Sequence, residues 1–269
     1  MGVKSSKIVL PINGKNQVDL SRFQFENNYR DSLFTIYLPC AKDKPYYKSR
    51  THSYIKLKLN EYIPNIWKSL ISISTISEVI GIVPERIESS IFYFYKHEYY
   101  YEHYPSHGEG DIERTSEWLR SYIKQYGTKF NYGYCTSKIF REICNEAGLE
   151  CFPQDFNPKS ALFEFRRLEC VRELTNKIYE TYKKLLINRF NKWKLNNSHS
   201  YNVLEFAKEN NTFSRKDFRI KFKDLQNPLA NVDTFCHESE SDKGIFFYFN
   251  KKDKKYHFPK FIQKFLNFQ

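Results

Sequence analysis

Apolar positions along the chain fall into two rhythms. Short continuous apolar runs, rich in β-branched and aromatic residues and closed by Pro, Gly or polar punctuation, read as buried strands. Leu33–Pro39 (LFTIYLP) and Leu70–Ile76 (LISISTI) are such runs, and Lys129–Tyr134 and the short Leu149–Phe152 follow the same reading. Between them the spacing changes to three and four. Ser49–Tyr62 reads as a helix with Tyr54, Leu57 and Tyr62 along one side. Asp111–Tyr126 carries Trp118, Leu119, Tyr122 and Ile123 on one face, with Asp111 and Glu113 at the end where the helix macrodipole favours acids. Ser137–Ala147 is a third helix, closed by Gly148 as its C-cap. Ser160–Lys194 is the longest helical pattern, and its polar side holds Arg166, Arg167, Arg172, Lys177, Lys183, Lys184 and Arg189. A solvated face accounts for those charges better than a phosphate-binding one.

Strands alternating with helices predict an α/β fold: a three-layer core in which a mainly parallel sheet is flanked by helices, since parallel strands need crossover connections. The polar tract Lys194–Ser200 (KLNNSHS) marks a boundary. Beyond it, Val203–Lys208 reads as a short helix, and Thr212–Phe218 opens another with Ser214 as N-cap. Gly244–Phe249 and Lys255–Phe258 read as strands joined by a lysine-rich turn. Helix, helix and basic hairpin outline a small α+β, winged-helix-like domain, its wing Asn250–Lys255 carrying Lys251, Lys252, Lys254 and Lys255 as nucleic-acid-binding candidates. The expected organisation is an extension over 1–30, a core over 31–194 and the basic domain over 201–269.

Composition narrows the class. With 41% hydrophobic and 18% aromatic residues, the 269-residue chain can build a substantial core, which excludes general disorder. A formal net charge of +12 suits a partner bearing phosphates. No run of about 18 apolar residues is present to span a bilayer, and the N-terminal residues lack an apolar stretch of signal-peptide length. The six cysteines (Cys40, Cys135, Cys144, Cys151, Cys170 and Cys236) contain no CxxC pair, so no metal site or other cofactor is expected. The expectation is a cytoplasmic protein with reduced thiols and no membrane contact.

The first strand runs into PCAKDKPYYKSRTH, Pro39 through His52. Open α/β sheets place ligands at the C-terminal ends of their strands. Lys42 and Lys44 favour the thiolate of Cys40. Ser49 and His52 flank the start of the next helix, whose N-terminus presents N–H groups to an anion. On spacing alone, a structural cysteine with solvated lysines explains the segment slightly better.

The same segment resembles the archaeosine synthases, archaeal tRNA-modifying enzymes with the pattern PC-x3-KPY-x2-S-x2-H. The matching residues are Pro39, Cys40, Lys44, Pro45, Tyr46, Ser49 and His52. A second segment, GIVPERIE, is similar to the family's G-x-VP-x-x-x-E through Gly81, Val83, Pro84 and Glu88. The resemblance spans residues 31–194. It departs in carrying Ala41 where relatives have serine, and an aromatic, histidine-bearing loop (His97, His103, His107) after the second segment. Neither the transglycosylase-like region nor the PUA domain of typical relatives is evident.

What the resemblance implies is a transferase that adds lysine, or a similar amine, to the nitrile of 7-cyano-7-deazaguanine (preQ0) at position 15 of tRNA. The product is an amidine on the route to archaeosine. The implied partners are preQ0-containing tRNA, free lysine, a separate radical-SAM enzyme that completes archaeosine, and a separate subunit to help hold tRNA. The catalytic candidates are then Cys40 as nucleophile, His52 as proton carrier, and Lys44 and Ser49 as stabilising groups. The substrate-binding candidates are Pro39, Tyr46, Gly81, Val83 and Glu88. For Glu88, a helix N-terminal acid favoured by the dipole is an equal reading. Gly81 is expected to take a positive φ or admit ligand close to the backbone. Alternatives are the same chemistry on preQ0 in DNA or as a free base, or a non-catalytic nucleic-acid-binding module.

Overall fold

The computed structural model describes residues 32–41, 45–62, 70–77, 80–94, 109–135, 137–155, 168–196, 205–206, 209–210, 212–224, 248–250 and 252–257. The 1–30 extension, Lys42, Lys44, Lys251 and the three loop histidines lie outside them. The chain divides into two units, Met1–Lys177 and Ile178–Gln269.

The first unit is an α/β fold on a five-stranded sheet. Its strands are β1 (Phe34–Pro39), β2 (Ile71–Ser77), β3 (Gly81–Pro84), β4 (Phe130–Tyr134) and β5 (Glu150–Phe152), in spatial order β3-β2-β1-β4-β5. β1 pairs in parallel with β2 on one side and β4 on the other, and β4 pairs in parallel with β5. β3 turns back antiparallel on β2. Its apolar GIVP run was not expected to be a strand; Gly81 makes the reversal possible by adopting φ 85°, a conformation that costs glycine no Cβ clash. The helices are α1 (Arg50–Tyr62), α2 (Glu88–Phe94), α3 (Glu109–Tyr126), α4 (Lys138–Glu146) and α5 (Leu168–Leu195). α5 runs on into the second unit.

Alternation along the strands decides what each helix meets. Tyr37, Ser74 and Gly133 point to one face, where the Tyr37 ring meets that of Tyr122 on α3 edge-on and Ser74 Oγ lies 3.4 Å from the Tyr122 hydroxyl. α3 and α4 pack against each other and close this face with Leu119, Phe140 and Ile143. Phe34, Ile36, Tyr132 and Tyr134 point the other way, with Phe34 stacked on Phe130 and Tyr132. On that side Tyr134 feels Cys170 and Glu173 of α5 and Tyr54 of α1, and burial above all pushes its phenol well above the ordinary range.

The buried stripe of α1 differs from the one the pattern predicts. His52, Ile55 and Leu59 are buried, whereas Leu57 is 54% exposed. Three- and four-residue spacing admits either stripe, and the choice falls to the one that carries His52 inward. No described helix is long and apolar enough to cross a membrane.

In the second unit, β6 (Thr212–Phe213), β7 (Tyr248–Asn250) and β8 (Lys255–His257) form a three-stranded antiparallel sheet in the order β6-β8-β7. α6 (Arg215–Lys221) starts at Ser214, whose Oγ accepts from the Asp217 N–H while Asp217 accepts from the Ser214 N–H. This reciprocal cap satisfies two otherwise unpaired donors. Phe206, Phe213, Phe218 and Phe222 pack their rings into a small core.

Candidate functional site

The parallel strands β1, β2, β4 and β5 all end on the same edge of the sheet. From β1 the chain crosses through α1 to β2 on one side, and from β4 it crosses through α4 to β5 on the other. Strand order therefore reverses between β1 and β4, and it is at such switch points that open α/β sheets generally take their ligands. Pro39, Cys40 and Cys135 leave the sheet here.

From Pro45 the described chain is held by local bonds. Tyr46–Lys48 form one 3-10 turn, with the Lys48 N–H on Pro45 O and the Ser49 N–H on Tyr46 O. Ser49 then opens α1: its Oγ accepts from the His52 N–H at 3.1 Å. This is an N-cap arrangement, and it fixes the helix start three residues before the histidine. The ring of His52 turns back so that Nε2 lies 2.9 Å from the Pro39 carbonyl oxygen. A carbonyl only accepts, so Nε2 carries a proton. The ring also stacks on Tyr46, with centroids 5.9 Å apart and planes 25° apart. Cys40, the residue after that carbonyl, is half-buried and borders the apolar core on the α3–α4 face.

Glu88 joins the second segment to the first. It is 1% exposed, and its two carboxylate oxygens accept from the backbone N–H groups of Tyr46 and Tyr47, the latter at 3.1 Å. Charge-assisted bonds to a buried carboxylate are among the stronger ones available to a loop. A second tie runs from Lys56 Nζ on α1 to Glu85 Oε1, with the Lys56 ammonium over the Tyr47 ring at 5.9 Å. Pro39, Tyr46, Ser49, His52, Gly81, Val83 and Glu88 are all buried. Among the described residues the structure thus ties Glu88 of the second segment to the turn of the first, with Cys40 the most open of the group. Within this group Tyr46 and Val83 belong to the apolar core, and Glu88 and Ser49 are engaged with backbone.

The basic hairpin is elsewhere, in the second unit. Lys252, Lys254 and Lys255 are exposed, with Lys254 at φ 55° and the Lys255 N–H on Asp253 Oδ1 at 3.0 Å. Sequence reasoning missed two features of the switch point. One is the Glu88 bridge, which spans two segments far apart in the chain and leaves no local spacing signal. The other is Cys135, which ends β4 next to the close of β1 and whose position is set by strand register alone.

No curated protein matches the chain significantly. Among solved structures, the crystal structure of AF0587, a protein of unknown function, is similar at a TM-score of 0.39 and 18% identity, over 57% of this chain and 49% of that one. The chain thus spans about half the length of that protein. Residues 20–155 match the family described as a domain of unknown function, DUF5591. That span takes in every strand of the five-stranded sheet and both motif segments, and it amounts to half of the chain, which therefore belongs to the DUF5591 family.

Proposed function

We propose that this protein is an archaeosine-synthase-like transferase that adds lysine, or a similar amine, to the nitrile carbon of preQ0 in tRNA. The observation that carries the reading is the tie between the two motif segments, the Glu88 carboxylate bonded to the turn that follows Cys40. Buried polar groups held in this way keep a reactive loop in one geometry.

The chemistry follows from a nitrile that an amine alone attacks slowly. Cys40 sulfur adds to the nitrile carbon, one C≡N bond opens, and the nitrogen takes up a proton to give a thioimide. The lysine amine adds to the same carbon, the C–S bond breaks, and the amidine leaves with the thiol restored. His52, held by Nε2 on the Pro39 carbonyl next to Cys40, is the group that takes and returns the proton. Lys44 favours the thiolate or holds the amino acid carboxylate. Ser49, Tyr46 and Glu88 position the segment, and Gly81 and Val83 form the wall behind it. The second unit, read as winged-helix-like with its exposed Lys252, Lys254 and Lys255, supplies contacts to tRNA phosphates, and a separate subunit adds the rest. A radical-SAM enzyme would act on the product. The protein works in the cytoplasm.

The test is to incubate the protein with radiolabelled lysine and preQ0-containing tRNA, preQ0-containing DNA or free preQ0. Label is expected in tRNA with wild type and not with Cys40→Ala. Label in DNA or free base instead moves the substrate and keeps the chemistry. No label anywhere, with tight salt-sensitive binding of nucleic acid, overturns the enzyme reading in favour of a binding module. Near-full turnover by Cys40→Ala removes the covalent step.

A further inference from the structure

The outer side of α6 is basic and open. The helix turns Phe218 inward onto the phenylalanine core and leaves Lys216, Arg219 and Ile220 outside, at the three- and four-residue spacing that sets them on one side. Lys223 follows, exposed, in the turn after the helix. Ile220 is 63% exposed, an unusual position for a large aliphatic side chain among cations. Asp217 is held in the helix cap by Ser214, and Glu209 pairs with Lys221 at 3.7 Å. Among the described residues, no carboxylate pairs with Arg219, Lys223 or Lys254.

The lysine hairpin comes to the same place. β8 pairs with β6 in a register that sets Thr212 against His257 and Phe213 against Tyr256. One step further along this antiparallel register brings Ser214, where α6 starts, level with Lys255. The electrostatics agree: the Asp217 carboxyl, lowered first by its Ser214 bonds, is lowered further by the Lys255 and Lys216 ammonium groups. Lys254 is exposed in the turn that leads into β8. α6 and the hairpin therefore share one basic surface within the second unit.

Such a surface is costly without a partner. Like charges three residues apart, as Lys216 and Arg219 are, repel on a short helix, and Ile220 keeps apolar area in water. A polyanion with apolar edges removes both costs: its phosphates meet the cations and release counterions, and a sugar covers the isoleucine. We propose that Lys216, Arg219, Ile220 and Lys223, together with Lys254 and Lys255, form a surface that binds the sugar-phosphate backbone of tRNA. α6 thus carries the central contact and the hairpin extends it. The choice of tRNA rests on the proposed function, whereas the surface itself requires only a polynucleotide.

The full chain is titrated against a fluorescein-labelled tRNA transcript at increasing salt, with binding read by anisotropy. The double variant Arg219→Gln, Lys223→Gln is expected to weaken binding about tenfold or more. It should also lower the slope of log affinity against log salt by about 1.5, for two lost phosphate contacts. Ile220→Ala should weaken binding about fivefold with the slope unchanged, a signature that charge alone does not give. Full affinity in the double variant, a wild type that binds no tRNA, or a wild type that prefers phosphatidylserine vesicles to tRNA overturns the proposal. Ultraviolet crosslinking of the wild type to tRNA should mark the peptide over 214–224, and a mark elsewhere overturns the proposal even if a variant does not fold. The lysine-transfer assay reads separately: a wild type without transfer, beside a double variant with weakened tRNA binding, overturns the transferase and keeps this surface.

Discussion

Replace Glu88 with alanine and two backbone N–H groups lose their acceptors. Those of Tyr46 and Tyr47 both bond the carboxylate, the first fully buried and the second partly so. A hydrogen bond to a charged group contributes ~1.5–3 kcal/mol, and a buried donor left unmade carries its desolvation penalty, so Glu88→Ala should destabilise by ~3–5 kcal/mol. Glu88→Gln is the sharper probe. It keeps the shape and one acceptor oxygen, but sets an NH2 against the second N–H, for a loss of ~2–3 kcal/mol. Urea unfolding followed by circular dichroism measures both, with the midpoint shifting at unchanged m-value. Two variants within ~0.5 kcal/mol of wild type would refute the reasoning, since changes that small are typical of surface sites. A Glu88→Gln protein of normal stability with weakened substrate binding alone would instead make Glu88 a ligand-binding residue.

Other consequences can be checked as directly. Gly133→Ala forces a methyl against the sulfurs of Cys151 and Cys144 and should cost ~1–3 kcal/mol by urea titration; a neutral result would show that these thiols are loosely packed. Ser214→Ala removes the α6 cap and should cost ~0.5–2 kcal/mol. The bonds from Ser214 hold the Asp217 carboxyl below its usual value, so its contribution is present above the ordinary carboxylate pKa and fades as pH falls through the depressed one. The stability gap between wild type and Asp217→Asn should accordingly narrow in acid, and a gap that widens there would contradict the cap. Tyr134 keeps its proton in the folded state beyond the pH at which an unfolded tyrosine releases it, so stability falls as pH rises past about 10. Tyr134→Phe should flatten that alkaline slope by up to one proton, and an unchanged slope would locate the effect elsewhere.

Periodicity was enough to find four strands of the first sheet and the helices α1, α3 and α4, because each has a one-sided or two-sided apolar pattern that burial enforces; the short α2 was not among them. It was silent on β3, since four residues ending in proline carry too short a pattern and the antiparallel turn depends on the backbone of Gly81. It favoured the wrong side of α1 because aromatic and aliphatic residues occur on both sides of that helix, and only the sheet decides between Leu57 and Leu59. At the candidate site, Cys40, Ser49 and His52 were legible as one dense segment. The way they are held was not: the Pro39 carbonyl under the His52 ring and the Glu88 carboxylate under the Tyr46 turn are contacts between distant positions. The clustering of Cys135, Cys144 and Cys151 is of the same kind, set by β4–β5 register and by the α4 face turned to it.

β1 occupies the middle of its sheet, and its two neighbours are made at very different times. β2 follows it closely, whereas Phe34 meets Phe130 only after α1, β2, β3, α2 and α3 have all been synthesised. A nascent chain emerging from the ribosome therefore carries β1 with one unsatisfied edge, a segment prone to mispairing until β4 arrives. A truncated translation product ending before residue 130 would hold the Cys40 motif and its Glu88 tie in full, yet lack the strand that pairs with the other edge of β1.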